Sequence, residues 1–305
     1  MPKTQLVEVD GRELKLTNLD KVLYPQTGFS KGEMVDYYAK VAAAMVPHLK
    51  GRAVTLRRFP EGVEDLDSAF FEKRCPKHRP QWVKTTNVRA GPNAGNIDFC
   101  VCDGRPTLVW MAQLAAIELH PSLSLGSRHE RPTVLAFDLD PGPPAEVLAC
   151  GRVALRLREL LGQVGLESFV KTSGSKGMQL YVPLNTKVTY EQTRPFAQAL
   201  AQLLAKQSPD EVIAKMGKKT LREGKVFIDW YQNNERKTTI AVYSLRARER
   251  PTASTPLSWE EVESAIEDDD AGALVFEAGE VLERIETQGD LFAPVLGLKQ
   301  SLPDL

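Results

Sequence analysis

The amino-acid sequence predicts an α+β fold with mixed or antiparallel sheets, on three observations. Short runs of alternating apolar residues, rich in Val, Ile, Phe and Tyr, are interleaved with capped segments of helical period. Near the start, Asp10-Gly11 separates two alternating runs, the signature of a tight hairpin. No Gly-x-Gly-x-x-Gly follows any strand-like run, which argues against a doubly wound dinucleotide fold.

The elements follow in order. Ser30-Lys31-Gly32-Glu33 reads as a capping box opening an amphipathic helix to about residue 50. A strand is expected over 53–59, carrying Arg57 and Arg58 towards the site. Residues 60–104, rich in Pro, Gly and charge, read as irregular and substrate-facing. A helix over 106–119 is expected next, closed by His120 before Pro121. A strand over 133–140 and a helix near 144–162 follow. Residues 170–182 read as strand, Gly-rich turn, strand. Thr189-Tyr-Glu-Gln192 opens a further helix to about residue 206. A strand over 225–231 precedes helices near 258–267 and 276–287. With no repeat, low-complexity linker or boundary in view, a single domain over 1–305 is expected, with an acidic helical segment at about 251–305.

The net charge of −1 hides an asymmetry. Residues 251–305 carry a net of −11, which leaves the first 250 residues at +10. The body is therefore basic, as a phosphate-binding surface requires. No run approaches the roughly 20 apolar residues of a membrane helix. The start lacks a signal-peptide core, so a cytoplasmic protein without membrane partners is expected. Cys75, Cys100, Cys102 and Cys150 fit a reducing compartment without disulfides. The pattern Cys75-x-x-His78 with Cys100-x-Cys102 also admits zinc, although thiols two apart on a strand point to opposite faces.

The chemistry concentrates in three segments. In Phe137-Asp138-Leu139-Asp140-Pro141 two carboxylates lie about 7 Å apart on one strand face, while Leu135, Phe137 and Leu139 turn towards a core. Such a pair suits a divalent cation in phosphoryl transfer, or else an acidic strand end entering a turn. In Val226-Phe-Ile-Asp229-Trp a charge interrupts an apolar strand. It is either a third metal ligand or half of an ion pair with Lys225, Arg236 or Lys237. In Thr172-Ser173-Gly-Ser-Lys176-Gly177, glycines, hydroxyls and an ammonium could cradle a phosphate, or form an ordinary hairpin. Arg246, and His120 unless it merely caps a helix, would complete a triphosphate cradle. Lys31 opposes the dipole of its helix unless an anion binds there. Of adjacent Phe70 and Phe71, at least one must leave the core, beside Lys73 and Arg74.

Together, and in this order, these motifs resemble the polymerase domain of bacterial DNA ligase D. That domain is a primase-polymerase of the archaeo-eukaryotic primase superfamily, active in non-homologous end joining. The likeness runs from Leu16-Thr-Asn-Leu-Asp-Lys21 to Asp290-Leu-Phe-Ala-Pro294. It implies a primase-polymerase fold with an RRM-like catalytic sheet flanked by helices, and a second small sheet. It implies Asp138, Asp140 and Asp229 as catalytic ligands of two Mn²⁺ or Mg²⁺ ions. His120, Ser173, Lys176, Gln232 and Arg246 would contact the NTP or dNTP, with Arg57 nearby. Lys21 and Lys31 would grip a downstream 5′-phosphate, Phe70 and Phe71 stack on template bases, and Arg222 position strand ends.

The function implied is template-directed nucleotidyl transfer that fills gaps and extends ends at DNA breaks, favouring ribonucleotides. DNA with gapped or recessed ends, a DNA ligase and Ku are the expected partners. No Lys-x-Asp-Gly is present to supply an adenylated lysine. The alternatives are a metal-dependent phosphodiesterase or nuclease, and a non-catalytic module that bridges DNA ends.

Overall fold

The computed structural model describes residues 4–89, 95–217 and 219–303. The chain forms two compact units whose segments interleave. The first comprises residues 1–122, 238–253 and 277–290, and the second 123–237, 254–276 and 291–305. Because the chain passes between units several times, no one linker marks a boundary in the sequence.

The first unit begins with the hairpin β1 (Thr4–Val9) and β2 (Arg12–Thr17). Asp10 and Gly11 both take positive φ, the geometry that matches strand twist across a two-residue turn. A short ribbon, β3 (Val22–Tyr24) with β4 (Phe29–Ser30), leads into α1 (Lys31–Leu49). The predicted capping box is present, with Ser30 and Glu33 each satisfying the other's backbone N–H. Helix α1 buries Met34, Tyr37, Tyr38, Val41, Met45 and Leu49, spaced at helical period along its core-facing side.

The sheet of this unit is built on β5 (Arg52–Arg58), with β6 (Phe70–Glu72), β7 (Thr85–Arg89) and β8 (Asn96–Cys100) in the order β6-β5-β8-β7. The stretch 60–104 is thus not simply irregular. Its strands are short and lack a sustained apolar alternation, and each is stabilised by the strand it pairs with rather than by its own pattern. The cysteines also depart from expectation. The Cys75 N–H donates to the Asp98 carbonyl, which sets Cys75 beside β8, where it forms a disulfide with Cys100. That bond consumes two donors of the four-ligand zinc reading, so that site is not formed. Cys102 and Cys150 are free and buried.

A further correction concerns the segment before Pro121. Helix α2 (Arg105–Gln113) ends early, Ala115 adopts φ +58°, and the chain continues as β9 (Ala116–Leu125), which pairs with β5. His120 therefore lies within a strand and caps no helix. Ala116 to Leu119 are buried without a break, and such a run cannot be told from a buried helix by periodicity alone.

The second unit is organised by a six-stranded sheet. Its strands are β10 (Val134–Pro141), β11 (Phe169–Thr172), β12 (Met178–Pro183), β13 (Val212–Ile213), β14 (Val226–Asp229) and β15 (Pro256–Leu257). They are ordered β13-β14-β10-β12-β11-β15, antiparallel except for β13 with β14. Helices α3 (Val147–Gln163), α4 (Tyr190–Gln207) and α5 (Trp259–Glu267) contribute to its core. Leu135, Phe137 and Leu139 join Leu180, Val182, Val226 and Ile228 in that core, as the alternation predicts. Burying each such side chain contributes about 1.5–3 kcal/mol. The chain then supplies α6 (Ala278–Gln288) to the first unit and α7 (Pro294–Gly297) to the second. The two predicted C-terminal helices are thus present, one in each unit. Among the described residues no helix is long and apolar enough to cross a membrane.

Candidate active site

In the second unit, register places the chemistry. Asp138 on β10 lies directly opposite Asp229 on β14 and Gln179 on β12, and Gln179 lies opposite Lys171 on β11. Opposed residues of antiparallel strands share a face, so Asp229, Asp138, Gln179 and Lys171 form a polar row across four strands. Asp140, two residues along β10, shares that face opposite Phe227. Like charges directly opposite one another destabilise a sheet. Burial, then Asp140 and Asp229, push the Asp138 carboxyl up to about 7 despite a hydrogen bond from Gln179 Nε2 at 3.0 Å. Burial also raises Asp229, against hydrogen bonds from the Tyr231 N–H and Gln232 Nε2.

These oxygen donors fit a hard divalent cation, which would remove the repulsion. Among the described residues no three His, Cys, Asp or Glu side chains already stand gathered to hold a metal. Instead, Asp229 caps the short turn after β14, where the predicted longer strand breaks at Trp230. Nearby polarity is incompletely matched: Gln232 Oε1 and Arg222 Nε are buried without a hydrogen-bond partner. The Arg222 guanidinium lies over the Phe227 ring at 3.8 Å. Its backbone is pressed against Gly142, where a Cβ would fall 1.8 Å from the Arg222 carbonyl oxygen.

The Gly-rich turn joins β11 to β12. Ser173 Oγ accepts from the N–H groups of Ser175 and Gly177, so this hydroxyl shapes the loop. A Cβ at Gly177 would lie 2.0 Å from the Leu139 carbonyl oxygen; only glycine lets the turn approach the strand between the two aspartates so closely. Lys176 is exposed at the turn.

In the first unit, Arg57, His120 and Arg246 meet around a residue that the sequence reading did not select. Glu118 is 1% exposed. Its Oε2 accepts from Arg57 Nη1 at 3.2 Å and bonds His120 Nε2 at 3.0 Å; its Oε1 accepts from Arg246 Nε and the Ala247 N–H, each at 3.1 Å. Burial would raise this carboxyl, yet the His120 hydrogen bond and the charges of Arg246 and Arg57 hold it far below the usual range. Burial lowers His120 despite Glu118. Because an ionised carboxylate only accepts, the bond between them is donated by His120 Nε2–H. Reading residues 106–119 as a helix concealed that Glu118 and His120 are alternate residues of one strand.

Phe71, on β6, packs edge-on to the His120 ring at 5.6 Å, with the Arg57 guanidinium 5.3 Å from its centroid. Phe70 is approached by Arg58 at 5.2 Å. Both rings remain exposed, Phe70 by 43% and Phe71 by 58%, so neither is core. At the start of α1, Lys31 is 6% exposed, and its Nζ donates to the Thr17 carbonyl at 2.9 Å. The Lys31 N–H donates to the Lys21 carbonyl, and Lys21 Nζ pairs with Glu61. Burial, then Lys21 and Arg58, lower Lys31 to about 8. Cations crowded at a helix N-terminus form a site that an anion would relieve.

A family model described as LigD, primase-polymerase domain, matches residues 30–292. The chain belongs to this family. It is 42% identical over 284 residues to the multifunctional non-homologous end joining protein LigD of Mycolicibacterium smegmatis, covering 92% of this chain and 36% of that protein. It is 34% identical over 279 residues to the bifunctional non-homologous end joining protein LigD of Bacillus subtilis, covering 91% and 43%. Thus the chain spans well under half the length of these relatives. Among solved structures it matches the polymerase domain of Mycobacterium tuberculosis ligase D in complex with DNA, at TM-score 0.84 and 39% identity, over 93% of this chain and 98% of that one. Membership makes the chain an enzyme of DNA-directed nucleotidyltransferase type.

Proposed function

We propose that this chain is a template-directed nucleotidyltransferase that fills gaps and extends ends at DNA breaks, favouring ribonucleotides and a downstream 5′-phosphate. The observation that carries the reading is the placement of Asp138 opposite Asp229, with Asp140 on the same face. Three carboxylates on a rigid sheet would hold two Mn²⁺ or Mg²⁺ ions. Bound there, the ions supply the acidity that activates a 3′-hydroxyl and the charge that stabilises pyrophosphate departure.

The chain's own residues bind and orient. Arg57, His120, Arg246, Ser173, Lys176 and Gln232 would contact the NTP or dNTP. Ser173 acts by shaping the turn, and Lys176, exposed on it, adds a positive charge. Lys21 and Lys31 would take the 5′-phosphate of the downstream strand. Phe70 and Phe71 supply stacking faces for template bases. Arg222, clamped at Gly142 beside the carboxylate strands, would orient strand ends. Sealing the product falls to a DNA ligase, with Ku holding the ends. The whole length acts as one primase-polymerase module, located in the cytoplasm at the nucleoid.

The test is extension of a labelled primer facing a short gap, with Mn²⁺ and either NTPs or dNTPs, with and without a 5′-phosphate across the gap. Addition stimulated by the phosphate, greater with NTPs, and lost in Asp138→Ala is the expected result. Metal-dependent shortening of the strand would replace the polymerase with a nuclease. DNA binding without either reaction would replace it with a bridging module.

A further inference from the structure

We infer that Glu118 is the positioning residue of the nucleotide pocket: one saturated carboxylate sets the directions of Arg57, His120 and Arg246 at once. The inference rests on the nucleotide-binding reading of those three side chains. A carboxylate offers about four acceptor positions. Glu118 fills them with Arg57 Nη1, His120 Nε2, Arg246 Nε and the Ala247 N–H. With every lone pair engaged and 1% exposure, Glu118 is neither a metal ligand nor a group that touches substrate. Its action passes through its partners.

Three features define that action. First, the bonds to Arg57 and Arg246 are charge-assisted and short enough to restrain two long side chains that would otherwise sample many rotamers. Ordering them in advance lowers the entropic cost of gripping an anion. Second, accepting the Nε2–H of His120 fixes the orientation of the imidazole ring. Third, Glu118 carries one negative charge against the two of Arg57 and Arg246, so the cluster keeps a net positive charge. The Tyr38 hydroxyl fixes the frame from beneath by bonding the Ile117 carbonyl at 2.5 Å and accepting from the Leu245 N–H at 3.1 Å. The strand bearing Glu118 and the segment bearing Arg246 are thereby held in one register.

Positioning and simple charge balance predict opposite signs. If Glu118 only offset positive charge, its neutralisation would tighten triphosphate binding. If it positions, neutralisation lets two guanidiniums repel and swing apart, and binding weakens.

The experiment measures ATP binding with Mn²⁺ by calorimetry, together with KM and kcat in gap filling, for wild type, Glu118→Gln, Glu118→Asp, Arg246→Ala and the Glu118→Gln/Arg246→Ala pair. Folding is checked by circular dichroism. For Glu118→Gln the dissociation constant and KM should rise about tenfold or more, because a charge-assisted network becomes neutral, while kcat moves less than about threefold. The double variant should bind more weakly than Arg246→Ala alone but by less than the sum of the two losses, since Glu118 acts partly through Arg246 and partly through Arg57 and His120. Glu118→Asp keeps the charge but is one methylene short; it should lose part of the affinity, and it carries the test if the Gln variant does not fold. Wild-type or tighter ATP binding by either folded variant, or fully additive losses in the pair, overturns the inference alone. Failure of the wild type to bind ATP overturns the nucleotide reading and this inference with it.

Discussion

Glu118 in the first unit is a buried strand carboxylate and Asp138 in the second a half-buried one, yet the loss of water has opposite outcomes for them. Glu118 is encircled by two guanidiniums, an imidazole and a backbone N–H, and its carboxyl is driven down. Asp138 has Asp229 opposite and Asp140 two residues away, and its carboxyl is driven up to about 7. The contrast separates preorganisation from demand. A satisfied carboxylate orders the groups around it, whereas an unsatisfied cluster creates a need that a bound cation meets.

The largest effects should come from breaking the unsatisfied cluster. Asp138→Asn should lower nucleotide addition by roughly a thousandfold or more, as expected when a charge-stabilising group is removed from a phosphoryl-transfer centre. The metal-free variant should nevertheless melt at or above the wild-type temperature, because one of the opposed charges is gone. Added Mn²⁺ should raise the wild-type melting temperature and leave that of the variant nearly unchanged. A variant that melts well below metal-free wild type would show that Asp138 is a structural ion-pair partner instead.

Phe71 tests the other side of the comparison at intermediate size. Its exposed ring leans on His120 and Arg57, which Glu118 already orders. Phe71→Ala should weaken primer–template binding by about 1–3 kcal/mol, the range for one stacked base. Phe70→Ala should cost less, since its ring packs against Arg58, outside the Glu118 cluster. Equal losses in both variants would mean that the cluster does not govern the template face.

The smallest effect concerns Lys31. An ordinary lysine keeps its charge to about pH 10.4, but Lys31 is lowered to about 8 by burial and by Lys21 and Arg58. Stimulation by a 5′-phosphate should therefore decline several-fold between about pH 7 and 9, and Lys31→Met should remove it at all pH values. Stability moves the other way. Between the folded value of about 8 and the unfolded value, the unfolded chain holds the extra proton, so stability rises with pH across that window and is lowest below it. Lys31→Met should erase that slope in a thermal-melt series. A slope that persists in the variant would assign the titration elsewhere.

Much of the molecule was legible locally because local rules wrote it. The Asp10-Gly11 hairpin, the capping boxes of α1 and α4, the apolar face of β10 and the C-terminal helices each follow from short-range chemistry. The alternation of β10 also put Asp138 and Asp140 on one face. The readings that failed were those decided by which strand pairs with which. Strands β6, β7 and β8 exist through pairing with each other and with β5. Cys75 found Cys100 because β8 draws the chain back. The segment before Pro121 became a strand because β5 accepts it as a neighbour.

By itself, then, the sequence determined which segments could be strands or helices, where the carboxylates and glycines fall, and the family to which they belong. Tertiary structure alone decided that Asp229 stands opposite Asp138, that Glu118 gathers Arg57, His120 and Arg246, and that the acidic C-terminal segment is shared between two units. The reason is physical. Periodicity and capping act over a few residues and leave a trace in them. Strand register and buried charge pairing act between residues far apart in the chain, such as Asp138 with Asp229 or Glu118 with Arg246, where no local pattern records which partner will arrive.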